Sequence, residues 1–427
     1  MTAFVLFSSF FLFMLLSVPI AIALGLSGLV TALYSSNISI TFLAQSLITS
    51  TDNFTLMAVP FFILAGEIMG KGGISTRLFE FANVFIGRFT GGFAMAAIAT
   101  SMFFAAISGS GPATVAAIGG IMIPAMVAEG YDRKFATSVI VSAGSLGIII
   151  PPSIPLVLYG VSGNQSIGDL FIGGILPGIL IGLALMVWAY IYSKKKGYKG
   201  SGEKFTFKRL FKTLNKAKWS LLVPVIVLGG IYGGVFTPTE AAVVAVVYAA
   251  IVALFLNKEV KLIEFPKIIK DAALSSVAIL IIIGTATSFG TILTMEQIPQ
   301  AIANGFLALS DNKYMIILLI SILLLIVGCF MDTAAAVIIF TPILLPIALQ
   351  IGMDPIHFGV LMIVNLSIGF ITPPFGVNLF VGSGISGLEM HVLSRAVVPF
   401  IVVLLICLAV VTTMPPLTLA LISLFSG

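Results

Sequence analysis

Charge is scarce in this sequence. Asp, Glu, Lys and Arg make up 9% of its 427 residues, against roughly 25% in ordinary soluble domains, so a surface built to face water is excluded. Cysteine is nearly absent: Cys329 and Cys407 both lie inside apolar stretches, where a free thiol behaves as a small hydrophobe, and they point to neither a disulfide nor a metal site. The two histidines are equally uninformative as ligands. His357 sits near the start of an apolar run and His391 in a short connection, neither with a cluster of Cys, His or acid around it. The formal charge of +5 comes from basic residues gathered between apolar segments, a pattern that sets membrane topology rather than the basic surface that nucleic acid requires.

What is present is hydrocarbon. Hydrophobic residues make up 59% of the chain and the mean hydropathy is +1.20. Apolar runs of 16 to 24 residues recur from end to end, and a bilayer core about 30 Å thick takes roughly 20 helical residues to cross. Lipid offers the backbone no partners, so these runs are expected to be helices. The first run has no charged leading segment and no small-residue cleavage site, which reads as a retained helix rather than a signal peptide.

The chain also repeats itself. At a spacing of 222 residues Pro124 pairs with Pro346, Gly130 with Gly352, Asp132 with Asp354, Ser145 with Ser367 and Gly147 with Gly369. Pro151 and Pro152 pair with Pro373 and Pro374, Gly160 with Gly382 and Pro177 with Pro399. Four of the six prolines between 110 and 177 recur although only 20 of 427 residues are proline, which shared hydrophobicity cannot produce. A weaker echo links the Pro-containing breaks at 17–24 and 236–243. Two repeats result, 1–200 and 219–427, joined by a basic connector at 201–218.

Charge gives their relative orientation. Lys194 to Lys218 holds ten basic residues and a single acid, Glu203, and is therefore expected in the cytoplasm. Counting spans outward from it puts 20 of the 21 basic residues inside, with Lys313 outside. In that count 129–134 is inside and its equivalent 351–356 outside, while 36–50 is outside and 258–272 inside. The repeats are expected to be inverted, a construction that recurs in secondary transporters with the site where the halves meet.

Each half contains two interruptions. One is an apolar run too long for a single helix and too short for two spans, broken at 108–114 (SGSGPAT) and again at 328–333 (GCFMDT). These read as re-entrant hairpins, 89–128 and 313–350, whose tips stop inside the membrane. Backbone at that depth is tolerated only within protein or beside an aqueous cavity, and the Ser, Thr and Asp oxygens around it suit a hard alkali cation. The other is the Pro-Pro pair in the broken helices 135–161 and 357–386, where two missing N–H groups leave carbonyls free and the half-helix beyond aims a positive dipole end inward. Structural readings stand beside these. A Pro-Pro pair can be a kink, Asp332 can cap the second helix of its hairpin as readily as serve as an intramembrane acid, and Asp132-Arg133-Lys134 reads as a solvated loop. Glu67 and Glu240 fall at span ends and read as interfacial. The stretch 258–271 alternates basic and apolar residues and suits a helix lying at the cytoplasmic interface.

At these residues the sequence resembles the large membrane subunit of tripartite ATP-independent periplasmic (TRAP) transporters. The resemblance rests on residues 229–242 (GGIYGGVFTPTEAA), 108–115 (SGSGPATV), 150–153 (IPPS), 57–66 (MAVPFFILAG) and 372–379 (TPPFGVNL), and it extends over essentially the whole chain. It implies an all-α polytopic membrane protein of two inverted-topology repeats, each with a re-entrant hairpin and a Pro-Pro-broken helix, working as an elevator. It further implies sodium-driven import of an organic acid of the sialic acid or C4-dicarboxylate class across the bacterial inner membrane. The implied partners are a periplasmic substrate-binding protein and a small four-helix membrane subunit, expected on a separate chain. Helices 1–35 and 219–257 become the scaffold, and no organic cofactor is expected. The resemblance places one sodium site on Ser108, Gly109, Ser110, Gly144, Ser145, Gly147 and Pro151, and another on Gly328, Asp332, Thr333, Gly369, Thr372 and Pro373. Substrate contacts are expected from Ser110, Gly111, Thr114, Pro152, Ser153, Asp332, Pro374 and Asn378.

Three other functions fit less well. A passive channel needs polar residues along several spans, whereas polarity here is concentrated at two tips. An intramembrane enzyme needs a paired nucleophile and base or a metal set, and none is present. The remaining rival is a sodium/anion symporter of a related inverted-repeat family that needs no binding protein. The topology is directly checkable: a reporter fused after Lys199 is expected to be active only in the cytoplasm, and one inserted after Gly352 only on the outer side.

Overall fold

The computed structural model describes residues 1–35, 38–200, 205–309 and 312–425. Ser36 and Asn37 of the 36–50 loop and residues 201–204 of the basic connector, including Glu203 and Lys204, lie outside the described residues, as do 310–311 and 426–427. Within them the chain is helical, with no strand, and nine helices are long and apolar enough to cross a membrane.

In chain order the helices are α1 (Thr2–Leu15), α2 (Ile20–Tyr34), α3 (Ile40–Thr49), α4 (Ala58–Lys71), α5 (Ile74–Ile86), α6 (Gly92–Ser108), α7 (Gly111–Ala128), α8 (Arg133–Gly144), α9 (Ile154–Ser162) and α10 (Ile167–Lys196). They continue as α11 (Phe207–Tyr232), α12 (Pro238–Ile251), α13 (Phe265–Met295), α14 (Ile298–Leu309), α15 (Lys313–Phe330), α16 (Thr333–Gln350), α17 (Pro355–Gly369), α18 (Val377–Ser386), α19 (Met390–Thr413) and α20 (Pro416–Phe425). Elements from α6 to α10 recur as α15 to α19 with starts near 222 residues apart; α7 and α16 match at both ends.

Local sequence sets these starts. Ser110, Asp132 and Ser153 cap α7, α8 and α9 through their side-chain oxygens, and Asp332 and Asp354 cap α16 and α17 in the same way. Proline follows in the first turn of α7, α9 and α17, where its missing N–H is no loss. Asp132-Arg133-Lys134, expected from sequence to be a solvated loop, is exposed but forms a helix start, with Asp132 as the cap. Its Oδ1 accepts from Lys134 N at 2.7 Å and Phe135 N at 3.3 Å, and Arg133 and Lys134 open α8. Asp354 repeats the arrangement with Ile356 N and His357 N at 2.8 and 3.0 Å.

The described part of the connector is largely helix, because α11 starts at Phe207 and carries Lys208, Arg209, Lys212, Lys216 and Lys218 on its first turns. Lys194–Lys196 form the last turn of α10, where cations complement the helix dipole. The stretch 258–271 is not one interfacial helix. Lys258 takes a left-handed backbone (φ 55°), a 3-10 turn covers Leu262–Glu264, and Pro266 opens the 31-residue α13, which absorbs the remainder. The stretch is tied to the α4–α5 connection by Lys71–Asp271 at 2.9 Å, Arg77–Glu259 at 3.0 Å and a hydrogen bond from Asn257 Nδ2 to the Gly72 carbonyl at 2.9 Å.

Around this frame the helices sort into neighbours. α13 packs on α2, α3 and α4, and α4 packs on α12. The hairpins and broken helices form a second group in which the halves are exchanged: α9 lies on α16 and α17, and α18 lies on α7 and α8. Tyr159 of α9, fully buried, donates to the Pro355 carbonyl at 2.7 Å. The outer surface is apolar, with Phe4, Leu183, Val187, Ile326 and Ile406 all more than half exposed, as lipid-facing side chains must be. Removing a repeated cap tests the frame: Asp132→Ala and Asp354→Ala are each expected to cost about 1 kcal/mol, read as a lowered melting temperature in detergent.

Candidate ion and solute site

At the first hairpin tip, Gly109 takes a left-handed backbone (φ 61°) between α6 and α7. The tip is closed by its own hydroxyls. Ser108 Oγ and Thr114 Oγ1 are 2.9 Å apart, and Thr114 Oγ1 donates to the Ser110 carbonyl at 2.8 Å. Gly147, at the end of α8, presses on this cluster so closely that an added Cβ would lie 2.4 Å from the Ser110 carbonyl oxygen and 2.7 Å from Thr114 Oγ1. The Pro-Pro break lies directly against the tip: Ile154 N donates to the Gly109 carbonyl at 3.2 Å, and a Cβ on Gly109 would meet the Pro152 carbonyl at 2.8 Å. Ser153 bridges the break, donating to the Ile148 carbonyl while accepting from Leu156 N. Ser145 Oγ donates to the Ser142 carbonyl at 2.6 Å, leaving its lone pairs available.

The second half completes this site. Asn378, fully buried at the start of α18, donates from Nδ2 to the Val141 carbonyl at 3.3 Å. Its Oδ1 has no hydrogen-bond partner and would lie 3.2 Å from a Cβ on Gly111, the first residue of α7; a Cβ on Gly144 would lie 3.2 Å from Nδ2. Phe370 packs on Gly111 from the same side. Ser108, Gly109, Ser110, Thr114, Gly147, Pro152 and Ser153 are thus one cluster, with Gly111, Gly144 and Asn378 meeting beside it. Pro151 is the exception, since it lines an apolar groove with Phe81, Phe103 and Ile175.

At the second tip Gly328 and Gly369 are in backbone contact, a Cβ on Gly369 lying 2.4 to 2.6 Å from Gly328 atoms. Asp332 Oδ2 accepts from Ala334 N at 2.8 Å, so its carboxylate caps α16. Thr372 Oγ1 donates to the Ile368 carbonyl at 2.7 Å and the Thr372 carbonyl accepts from Gly376 N at 3.2 Å. The hydroxyl of Thr333 is buried without a partner. So is Oδ1 of Asn365, whose amide donates to the Leu361 carbonyl one turn earlier. Sequence reading passed over Asn365 because its repeat equivalent is Ala143; a lone buried amide one turn before Gly369 was the available signal. The second site is more open than the first: Pro374 and Phe375 are exposed, whereas Pro151 and Pro152 are buried. Both Pro-Pro peptide bonds are cis. Among the described residues no group of three or more His, Cys, Asp or Glu could hold a metal ion.

The family model for the DctM component of the tripartite ATP-independent periplasmic transporters matches residues 7–417. The chain belongs to this family. It is 51% identical over 411 residues to the isethionate TRAP transporter permease protein DctMQ of Oleidesulfovibrio alaskensis, covering 96% of this chain and 65% of that longer relative. It is 46% identical over 399 residues to the C4-dicarboxylate TRAP transporter large permease protein DctM of Pseudomonas aeruginosa, covering 93% of each. The sialic acid TRAP transporter large permease protein SiaM of Vibrio cholerae is 40% identical over 409 residues, covering 96% of each. Its fold is also that of the YdaH transporter of Alcanivorax borkumensis, with a TM-score of 0.62 at 14% identity over 87% of each chain. A TRAP large permease is a multi-pass transporter subunit and not an enzyme.

The tip contacts generate a matched pair of variants. Gly147→Ala places a methyl against backbone and hydroxyl atoms that cannot move aside, and is expected to abolish uptake in cells while leaving the protein in the membrane. Gly120→Ala, where nothing lies within 4 Å, is expected to be silent.

Proposed function

We propose that this TRAP large permease is the solute-conducting subunit of a sodium-driven importer of organic anions in the bacterial inner membrane, with two inverted repeats and basic loops in the cytoplasm. One observation carries the reading. Two helices, α7 and α16, begin at hairpin tips beside Pro-Pro breaks, and buried oxygens around them lack protein donors. Bare acceptors at that depth are costly unless something fills them, and an all-oxygen set fits a hard alkali cation.

Sodium would be held in the first half by oxygens of Ser108, Gly109, Ser110, Gly144, Ser145 and Gly147. In the second half Gly328, Asp332, Thr333, Gly369, Thr372 and Pro373 are the equivalent set, with Asn365 added. When bound, the ion supplies positive charge that a substrate carboxylate or sulfonate can share. Gly111, Thr114, Ser153 and Asn378 stand at the N-terminal ends of α7, α9 and α18, where the helix dipole favours an anion. The tips differ in charge: Asp332 occupies the place of Ser110, so α16 presents its own carboxylate where α7 presents a hydroxyl.

The packing of α13 on α2, α3 and α4, and of α4 on α12, supports a scaffold against which the hairpins and broken helices slide as an elevator along the α13–α16 and α4–α6 contacts. The tripartite, periplasmic family description supports a periplasmic binding protein and a small four-helix membrane subunit as partners. Isethionate, C4-dicarboxylates and sialic acid, named for the relatives, are all organic acids and support that substrate class.

Reconstitution with the two partners in liposomes tests this. Uptake of such an acid is expected only with an inward sodium gradient and with the binding protein present; uptake indifferent to sodium removes the coupling, and full uptake without the binding protein removes the tripartite scheme. Asp332→Asn separates capping from ion binding, because Asn caps a helix as well as Asp. The variant is expected to insert normally yet need about tenfold more sodium for half-maximal uptake, corresponding to about 1.4 kcal/mol.

A further inference from the structure

A crevice of about 350 Å³ lies between α13 and the two helices that leave the hairpin site, α9 and α16. One wall is a single face of α13 carrying Thr287, Gly290, Thr291 and Thr294, at helical spacing. The opposite wall is Leu158 and Ser162 of α9 with Ile338 and Pro342 of α16, and Ser50 and Asn53 complete the polar lining. Leu158 is five residues beyond Ser153 and Ile338 six beyond Asp332, so at 1.5 Å per residue the crevice starts about 7 to 9 Å from both helix breaks.

Its polar atoms are of two kinds. Thr291 Oγ1 donates to the Thr287 carbonyl at 2.8 Å, Thr294 Oγ1 to the Thr291 carbonyl at 2.8 Å, and Ser50 Oγ to the Leu47 carbonyl at 3.1 Å, so these three offer only lone pairs. Asn53 Oδ1 accepts from Thr55 N at 2.9 Å, which leaves its amide N–H groups to donate. The hydroxyls of Thr287 and Ser162 are not committed to backbone carbonyls and can donate too. Lysine, arginine, aspartate and glutamate are absent from the lining. Donors and acceptors without a charge can hold a hydroxylated or carbonyl-bearing organic anion, yet only loosely, and conduction demands binding weak enough to release.

We propose that this crevice is an outer transit site for the organic anion, with the α13 threonine face as its fixed wall and Thr287, Ser162 and Asn53 as the contacts that set capture from the outer side. The proposal rests on the transporter reading above, and assigns to α13 a solute-contacting role separate from the hairpin sites.

The test uses the intact complex. Thr291→Cys is exposed from outside to the membrane-impermeant (2-sulfonatoethyl) methanethiosulfonate, itself a small organic anion, with the parent chain, whose two cysteines are buried, as the control. The variant is expected to be modified from the outer face, to lose uptake on modification, and to react several-fold more slowly when the acid that the parent vesicles accumulate is in excess. Thr287→Val, nearly isosteric, is expected to raise KM about fivefold, the worth of one hydrogen bond near 1 kcal/mol, with kcat within twofold. Modification from the inner face only, or modification that leaves uptake untouched, overturns the assignment. So does an unchanged KM in Thr287→Val. Modification and its effect on uptake are read whatever ion drives transport, so sodium-independent uptake by the parent would refute the coupling without touching this result.

Discussion

The constraint on which this structure depends is the backbone's need for hydrogen-bond partners in a medium that supplies none. A helix that crosses the bilayer meets it internally. A helix that stops inside the protein leaves four N–H or C=O groups exposed at its end, and this chain ends helices at buried positions repeatedly. Each of these ends is answered locally. Ser110, Ser153 and Asp332 supply side-chain oxygens, Ile154 N takes the Gly109 carbonyl, and glycines let one break lie within backbone contact of another. Oxygens on Thr333, Asn365 and Asn378 are left over from that accounting.

Much of this was readable in the sequence because the same constraint restricts which residues can stand at such ends. Proline, glycine and a small polar residue are the ordinary solution, and their recurrence 222 residues apart marked both breaks before any coordinates. Helix α7 and helix α16 begin and end at equivalent positions, which the paired prolines at 124 and 346 anticipate. Asp132 was misread because a charged triplet between two apolar runs has the composition of a loop; its role depends on two N–H groups that only a helix start presents. The absorption of 265–271 into α13 was missed for a related reason. Hydropathy marks where lipid stops, but a helix with good formers continues into water beyond it.

The site was less readable than the fold. Repetition pointed to residues that both halves share, and so passed over Asn365, which stands where the first half has Ala143. Asn378, where the first half has Leu156, was reached only through the family motif at 372–379. Both are fully buried with an unpaired amide oxygen. Pro151, which the family resemblance groups with the ion ligands, also lines an apolar groove with Phe81 and Phe103. Which face of a broken segment looks at the tip is fixed by tertiary packing, which spacing in a sequence does not encode.

The exchange of α9 and α18 between the halves bears on how such a chain can be divided. Each half lays a helix on the other's hairpin, and the Tyr159 hydroxyl and the Asn378 amide find their acceptors only across that exchange. A half-length polypeptide would therefore carry hairpin and break together and still lack the packing that covers them. Neither half is a unit of assembly, and a split version of this transporter has to bring both pieces together before either hairpin is enclosed.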